Sequence, residues 1–65
     1  MEKAIPTNIY DKSGDLTGIE FHKPDGEFII VAHWDHRDAQ TSSNRDKFRA
    51  WAYKMVRQLD YEVDQ

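Results

Sequence analysis

The sequence predicts an α+β domain: a three-stranded antiparallel β-meander packed on one C-terminal α-helix (β-β-β-α). Three observations carry that prediction. Two turn motifs, Asp11-Lys12-Ser13-Gly14 and Lys23-Pro24-Asp25-Gly26, punctuate the first half of the chain. The segments around them are rich in β-branched and aromatic residues, which suit a pleated surface. In the second half Phe48, Trp51, Ala52, Met55, Val56 and Leu59 recur at i, i+3, i+4, i+7, i+8 and i+11, an apolar stripe of helical period.

Each element follows in order. Strands are expected at about 4–10, 16–23 and 27–34, a loop at 35–42, a helix at about 44–59 and a tail at 60–65, all within one domain, 1–65. In Lys23-Pro24-Asp25-Gly26, Pro presets φ, Asp follows, and Gly stands where φ must turn positive, so a three-residue hairpin loop is predicted. Asp11 to Gly14 repeats the Gly position. With Lys23 opposite Glu27, regular pairing sets Phe21 against Ile29 and Ile19 against Val31. With Asp11 opposite Asp15, it sets Ile9 against Thr17 and Ile5 against Phe21. Both hairpins then place Ile5, Ile9, Ile19, Phe21, Ile29 and Val31 on one side, facing Phe48, Trp51, Met55, Val56 and Leu59 of the helix. Ser43 with Asp46 three residues on reads as a capping pair. Asp60-Tyr61-Glu62-Val63 alternates well enough for a short fourth strand at the C-terminus, although a frayed tail is the preferred reading.

Composition bounds the function. A chain of 65 residues makes one domain, and a domain of about 60 residues buries only around 60% of its unfolded surface. It has no room for a Rossmann sheet or a cleft between lobes. The absence of cysteine removes disulfides, thiolate nucleophiles and Cys-based zinc sites. The longest apolar run, Phe28 to Ala32, is far short of the ~20 residues of a membrane span. The N-terminus lacks the apolar core of a signal peptide, so a cytoplasmic setting is expected.

The sheet's second side is the candidate site. Tyr10, Leu16, Phe28, Ile30, Ala32 and Trp34 fall on it among Asn8, Glu20 and His22, and Phe28-Ile29-Ile30-Val31-Ala32 does not alternate. One helix covers one side only. Contiguous exposed apolar surface marks a contact site, so Tyr10, Phe28, Ile30 and Trp34 are the expected partner-binding residues. The partner is another protein or a second copy of the chain, by edge pairing or face packing. Compact acidic chains of this size are common among phage and mobile-element regulators, and a small non-enzymatic regulator or inhibitor of that kind is the expected function.

Three other functions compete with this one. His33-Trp34-Asp35-His36 resembles a metal cluster, but the expected register puts His22 on the side away from His33, and zinc needs three or four convergent ligands. No metal, cofactor or catalytic residue is expected, since no carboxylate or imidazole has a sheltered pocket. Nucleic acid is the alternative partner. Ser43 to Leu59 carries five Lys/Arg and one acid, +4, whereas the remainder, with four bases and eleven acids, carries −7 within the total of −3. Arg49, Tyr53, Lys54 and Arg57 form the basic stripe that would hold phosphates. The topology resembles the arm-binding modules of tyrosine recombinases. Their DNA-facing sheet carries Arg and Trp, whereas the matching face here has Glu20, His22, Phe28 and Ile30, so the resemblance is topological and transfers no function.

Overall fold

The computed structural model describes residues 1–64 of the chain. Its elements are β1 (Glu2–Tyr10), β2 (Leu16–His22), β3 (Phe28–His33), α1 (Ser42–Gln58) and β4 (Tyr61–Val63). They form a four-stranded sheet of order β3-β2-β1-β4 with α1 across one side, an α+β architecture. β1, β2 and β3 make the expected antiparallel meander.

The fourth strand is real. β4 pairs parallel to β1, with Glu2 opposite Tyr61, Lys3 opposite Glu62 and Ala4 opposite Val63. The Asp64 N–H then donates to the Ala4 carbonyl at 2.9 Å. A frayed tail from residue 60 is therefore corrected, and Gln65 at its end lies outside the described residues. The helix supplies the long crossover that a parallel pair requires. Asp60 turns the chain out of the helix with φ of 67°, a left-handed conformation that Asp tolerates better than most residues.

Both turns form as the sequence predicts. Lys23 N–H donates to Glu27 O at 2.8 Å, Asp11 N–H to Asp15 O at 3.0 Å, and Gly26 and Gly14 sit at φ of 93° and 85°. Immediately beyond each turn, however, a β-bulge inserts one residue. His22 lies opposite Phe28 but Phe21 lies opposite Ile30, so Ile29 is the extra residue on β3. Tyr10 lies opposite Leu16 but Ile9 lies opposite Gly18, so Thr17 is the extra residue on β2. Since side chains alternate with a period of two, a one-residue slip exchanges the faces of a whole strand.

The expected register is corrected accordingly. Phe21 stands between Pro6 and Ile30, and Ile19 between Asn8 and Ala32. The covered side thus takes Ala4, Ile19, Phe21 and Ala32 to meet Ala52 and Val56, each no more than 2% exposed. Ile5, Ile9 and Val31 go to the open side instead, and Ile5 is 37% exposed. Ile29 packs half-buried at the core margin. On α1, Phe48 and Met55 are half-buried, but Trp51 and the C-cap residue Leu59, both expected in the core, are 53% and 49% exposed.

The helix starts two residues earlier than expected. Thr41, not Ser43, is the N-cap, its Oγ1 accepting from Asn44 N–H at 3.1 Å, while Asp46 pairs with Arg49 at 3.3 Å. Gln40 closes the loop before the helix. Its amide accepts from Leu16 N–H at 3.1 Å and donates to Leu16 O at 2.9 Å, replacing a neighbouring strand where β3 has ended.

These burials give a test. Phe21, fully buried, should cost about 3–5 kcal/mol when changed to Ala, most of the stability of a chain this small. Phe28→Ala, at a 54% exposed position, should cost under about 1 kcal/mol. Urea unfolding midpoints of the two variants check both values.

Candidate functional site

The four residues expected to anchor a partner do not share one surface. Trp34 is 7% exposed, on the helix side, with its ring edge-on to Phe48 at 5.2 Å and its indole N–H donated to Asp38 O at 3.2 Å. Ile30 faces the core. Tyr10 is 57% exposed but lies on the helix side of β1, beyond the helix, where its hydroxyl accepts from Asn8 Nδ2 at 3.1 Å. Of the four, Phe28 alone is on the open side. The two bulges are the reason, because they move Ile30 and Tyr10 onto the covered side.

The open side is a mixed surface. Its cross-strand rows are Ile5, His22 and Phe28; then Thr7, Glu20 and Val31; then Ile9, Gly18 and His33. Glu20 Oε1 meets His22 Nε2 at 3.0 Å, and the His22 ring stands edge-on to Phe28 at 6.1 Å. A partly exposed polar pair thus interrupts the apolar residues. His22 and His33 share this side, contrary to the sequence expectation. They are nevertheless four residues apart in β2 register, roughly 13 Å, too far for one metal ion. Among the described residues no three His, Asp or Glu side chains converge on a metal position.

The basic stripe is also largely engaged within the chain. Tyr53 is half-buried, its ring edge-on to Phe21 at 6.0 Å, and the Arg57 guanidinium lies over that ring at 5.9 Å. Arg49 holds Asp46. Lys54 alone of the four projects with neither an ion pair nor a stacking partner among the described residues.

The aromatic residue that α1 presents to solvent is Trp51. Its ring lies 6.1 Å from Phe48, tilted by 31°, and Phe48 stands in turn on Trp34, so an aromatic row runs from the core to the surface. Lys47 and Lys54, at i−4 and i+3, flank it on the same helix face. On one side of the indole opens a cleft of about 380 Å³, walled by His33, Asp35, Asp38, Lys47 and Phe48. On the other a shallower depression is bounded by Lys54, Met55 and Gln58. Sequence reasoning assigned Trp51 to the core because it fits the apolar stripe. The available signal was its place at the margin of that stripe, between two lysines.

The cleft has a fixed floor. Asp38 N–H donates to Asp35 O at 3.0 Å, and the Asn44 amide donates to Ala39 O at 2.9 Å. Arg37 grips Asp35 through Nε at 3.1 Å, Nη2 at 2.8 Å and its backbone N–H at 3.0 Å. These bonds, the side-chain pair first, hold the Asp35 carboxyl down to about 2, and the same pair raises Arg37. Asp35 is therefore ionised throughout the neutral range. At the far hairpin, Glu2 and then Glu27 raise Lys23, which lies 3.5 Å and 3.7 Å from them.

Comparison with protein-family models, characterised proteins and solved structures finds no match to this chain. No helix among the described residues is long and apolar enough to cross a membrane.

The Asp35–Arg37 pair predicts a pH response. Its folded-state value lies below the ordinary 3.8, so its stabilisation is present above that pH and is lost as pH falls through about 2. An NMR titration of the Asp35 carboxyl should show the depressed midpoint, and Arg37→Ala should return it toward 3.8.

Proposed function

We propose that this chain is a small non-enzymatic protein-binding regulator that docks through the face of α1 centred on Trp51. The observation that carries the reading is the half-exposed indole, 53% accessible, held on Phe48 between two lysines beside a cleft. Tryptophan dominates interface energetics when a partner desolvates it, and a ring already supported from below loses little freedom on docking. The fitting partner is a protein surface with an apolar pocket rimmed by carboxylates, since Lys47 and Lys54 stand on either side of the ring.

The charge of the cleft favours a protein over a nucleic acid as the partner. Helix cations favour a polyanion, but the ionised Asp35 and the neighbouring Asp38 line the cleft beside Trp51. A phosphate backbone following that face would meet two carboxylates at close range. A polypeptide, which carries both signs of charge, has no such conflict. The non-enzymatic reading is supported by the exposure of the titratable groups: no polar or charged residue is buried among those described.

The test starts with affinity capture and mass spectrometry to identify the partner, followed by binding measurements on purified proteins. Trp51→Ala should weaken affinity by about 30-fold or more, the range of an interface hot spot, while leaving the melting temperature near that of the parent chain. Lys47→Glu with Lys54→Glu should slow association and reduce its salt dependence. Unchanged affinity in Trp51→Ala, or tight salt-dependent binding of DNA or RNA through the same lysines, overturns the assignment.

A further inference from the structure

We propose that the outer edge of β3 pairs antiparallel with β3 of a second copy of this chain, about a two-fold axis beside Ala32, joining two four-stranded sheets into one of eight strands. The edge adjoins the cleft beside Trp51, whose wall includes His33, but it uses backbone groups that the docking face of α1 does not. The order β3-β2-β1-β4 leaves β3 and β4 as the two edges. Their chemistry differs. β4 is three residues long and carries Glu62 between Asp60 and Asp64, so a second copy placed there sets carboxylate against carboxylate. β3 is six residues long, with neither charge nor proline from Phe28 to Ala32. Unpaired edges are ordinarily blunted by charged side chains or proline.

The backbone of β3 is directed for this pairing. Trp34 N–H donates to Thr17 O at 3.0 Å, and the register Ile19–Ala32 and Phe21–Ile30 continues the same alternation. Ile30, Ala32 and Trp34 therefore turn their N–H and C=O groups toward β2, and Val31 and His33 turn theirs outward. The bulge at Ile29 is confined to the start of the strand and leaves Ile30 to His33 regular. Antiparallel pairing about Ala32 sets Val31 of each copy opposite His33 of the other, closing four N–H···O bonds. Across the axis Ala32 meets Ala32, a side chain small enough for the ~4.5 Å Cα separation of a non-hydrogen-bonded pair.

The side chains also favour a second copy. Phe28 is 54% exposed, and none of the next three residues, Ile29, Ile30 and Val31, is fully buried. A strand laid alongside covers them on both sides of the sheet. Because the run is uncharged, the two-fold operation opposes no like charges, and an isologous edge closes at two copies.

Solution mass by analytical ultracentrifugation, with amide exchange read by NMR on the full chain, tests the proposal. The mass should rise from 7.7 kDa toward twice that with concentration, and the Val31 and His33 amides should gain protection in step. Val31→Pro removes the outward donor without touching the ladder to β2, and should raise the dimer dissociation constant at least about tenfold. Should the proline variant fail to fold, exchange at the two amides of the native chain decides alone. A chain that stays at 7.7 kDa at millimolar concentration overturns the proposal. So does a dimer in which Val31 and His33 exchange freely.

Discussion

With one helix available, the chain can cover one side of its sheet, and the central strand β2 chooses which. Phe21 and Ile19 are the two largest fully buried side chains of the molecule, both at most 1% exposed, and the covered side is arranged around them. Three alanines share the buried cluster with them: Ala4 on β1, Ala32 on β3 and Ala52 on α1, all within 2% of complete burial. Alanines on both surfaces let helix and sheet approach closely enough for Phe21 to be enclosed without a second helix. Had the flanking strands kept regular pairing from their turns, Ile5 and Ile29 would have stood beside Phe21, and Val31 beside Ile19. The helix would then have ridden higher over a core that a chain this short has too little material to fill. The two bulges thus decide how the fold closes as well as how its strands register.

That dependence explains what could be read from residue order. The turns were legible because they need specific chemistry: Gly14 and Gly26 occupy positive φ, and Pro24 presets the turn. The helix was legible because Phe48, Ala52, Met55 and Val56 keep the helical period. The bulges at Thr17 and Ile29 were not, since neither requires glycine and both follow turns that were correctly placed. One inserted residue in each hairpin then reversed the faces of Tyr10 and Ile30, and with them the site expected there. The exchange between the two tryptophans has a different cause. The stripe on α1 is wider than a narrow four-stranded sheet can cover, so Ala52 and Val56 at its centre are buried while Trp51 at its margin remains outside. Trp34, at the end of a strand, is folded inward by the loop that follows, whose Asp38 carbonyl receives the indole N–H.

The same loop connects the core to the surface. Residues 35–41 carry no regular structure, yet they are tied at both ends. Trp34 and Asn44 each donate to a loop carbonyl, and Arg45 donates to Gln40 O at 3.3 Å. The Gln40 side chain in turn holds the backbone of Leu16. Arg37 has its charge matched locally by Asp35. The separation of charge seen along the sequence therefore persists in three dimensions as a cationic helix face bordered by carboxylates.

Trp34, Phe48 and Trp51 bring these strands of argument together. One ring is in the core, one at its margin and one in solvent, in successive contact at 5.2 Å and 6.1 Å. The buried member is fixed by packing and by its hydrogen bond, so it orients the second, and the second supports the third. An exposed tryptophan standing alone samples several rotamers and loses that freedom on binding, whereas one resting on a fixed aromatic surface has fewer to lose. The residue that the fold leaves half outside is thus also the one it holds most firmly from below. This combination of exposure and support is what separates Trp51 from the exposed Tyr10, whose hydroxyl accepts from the Asn8 amide and whose ring stacks on no other aromatic among the described residues.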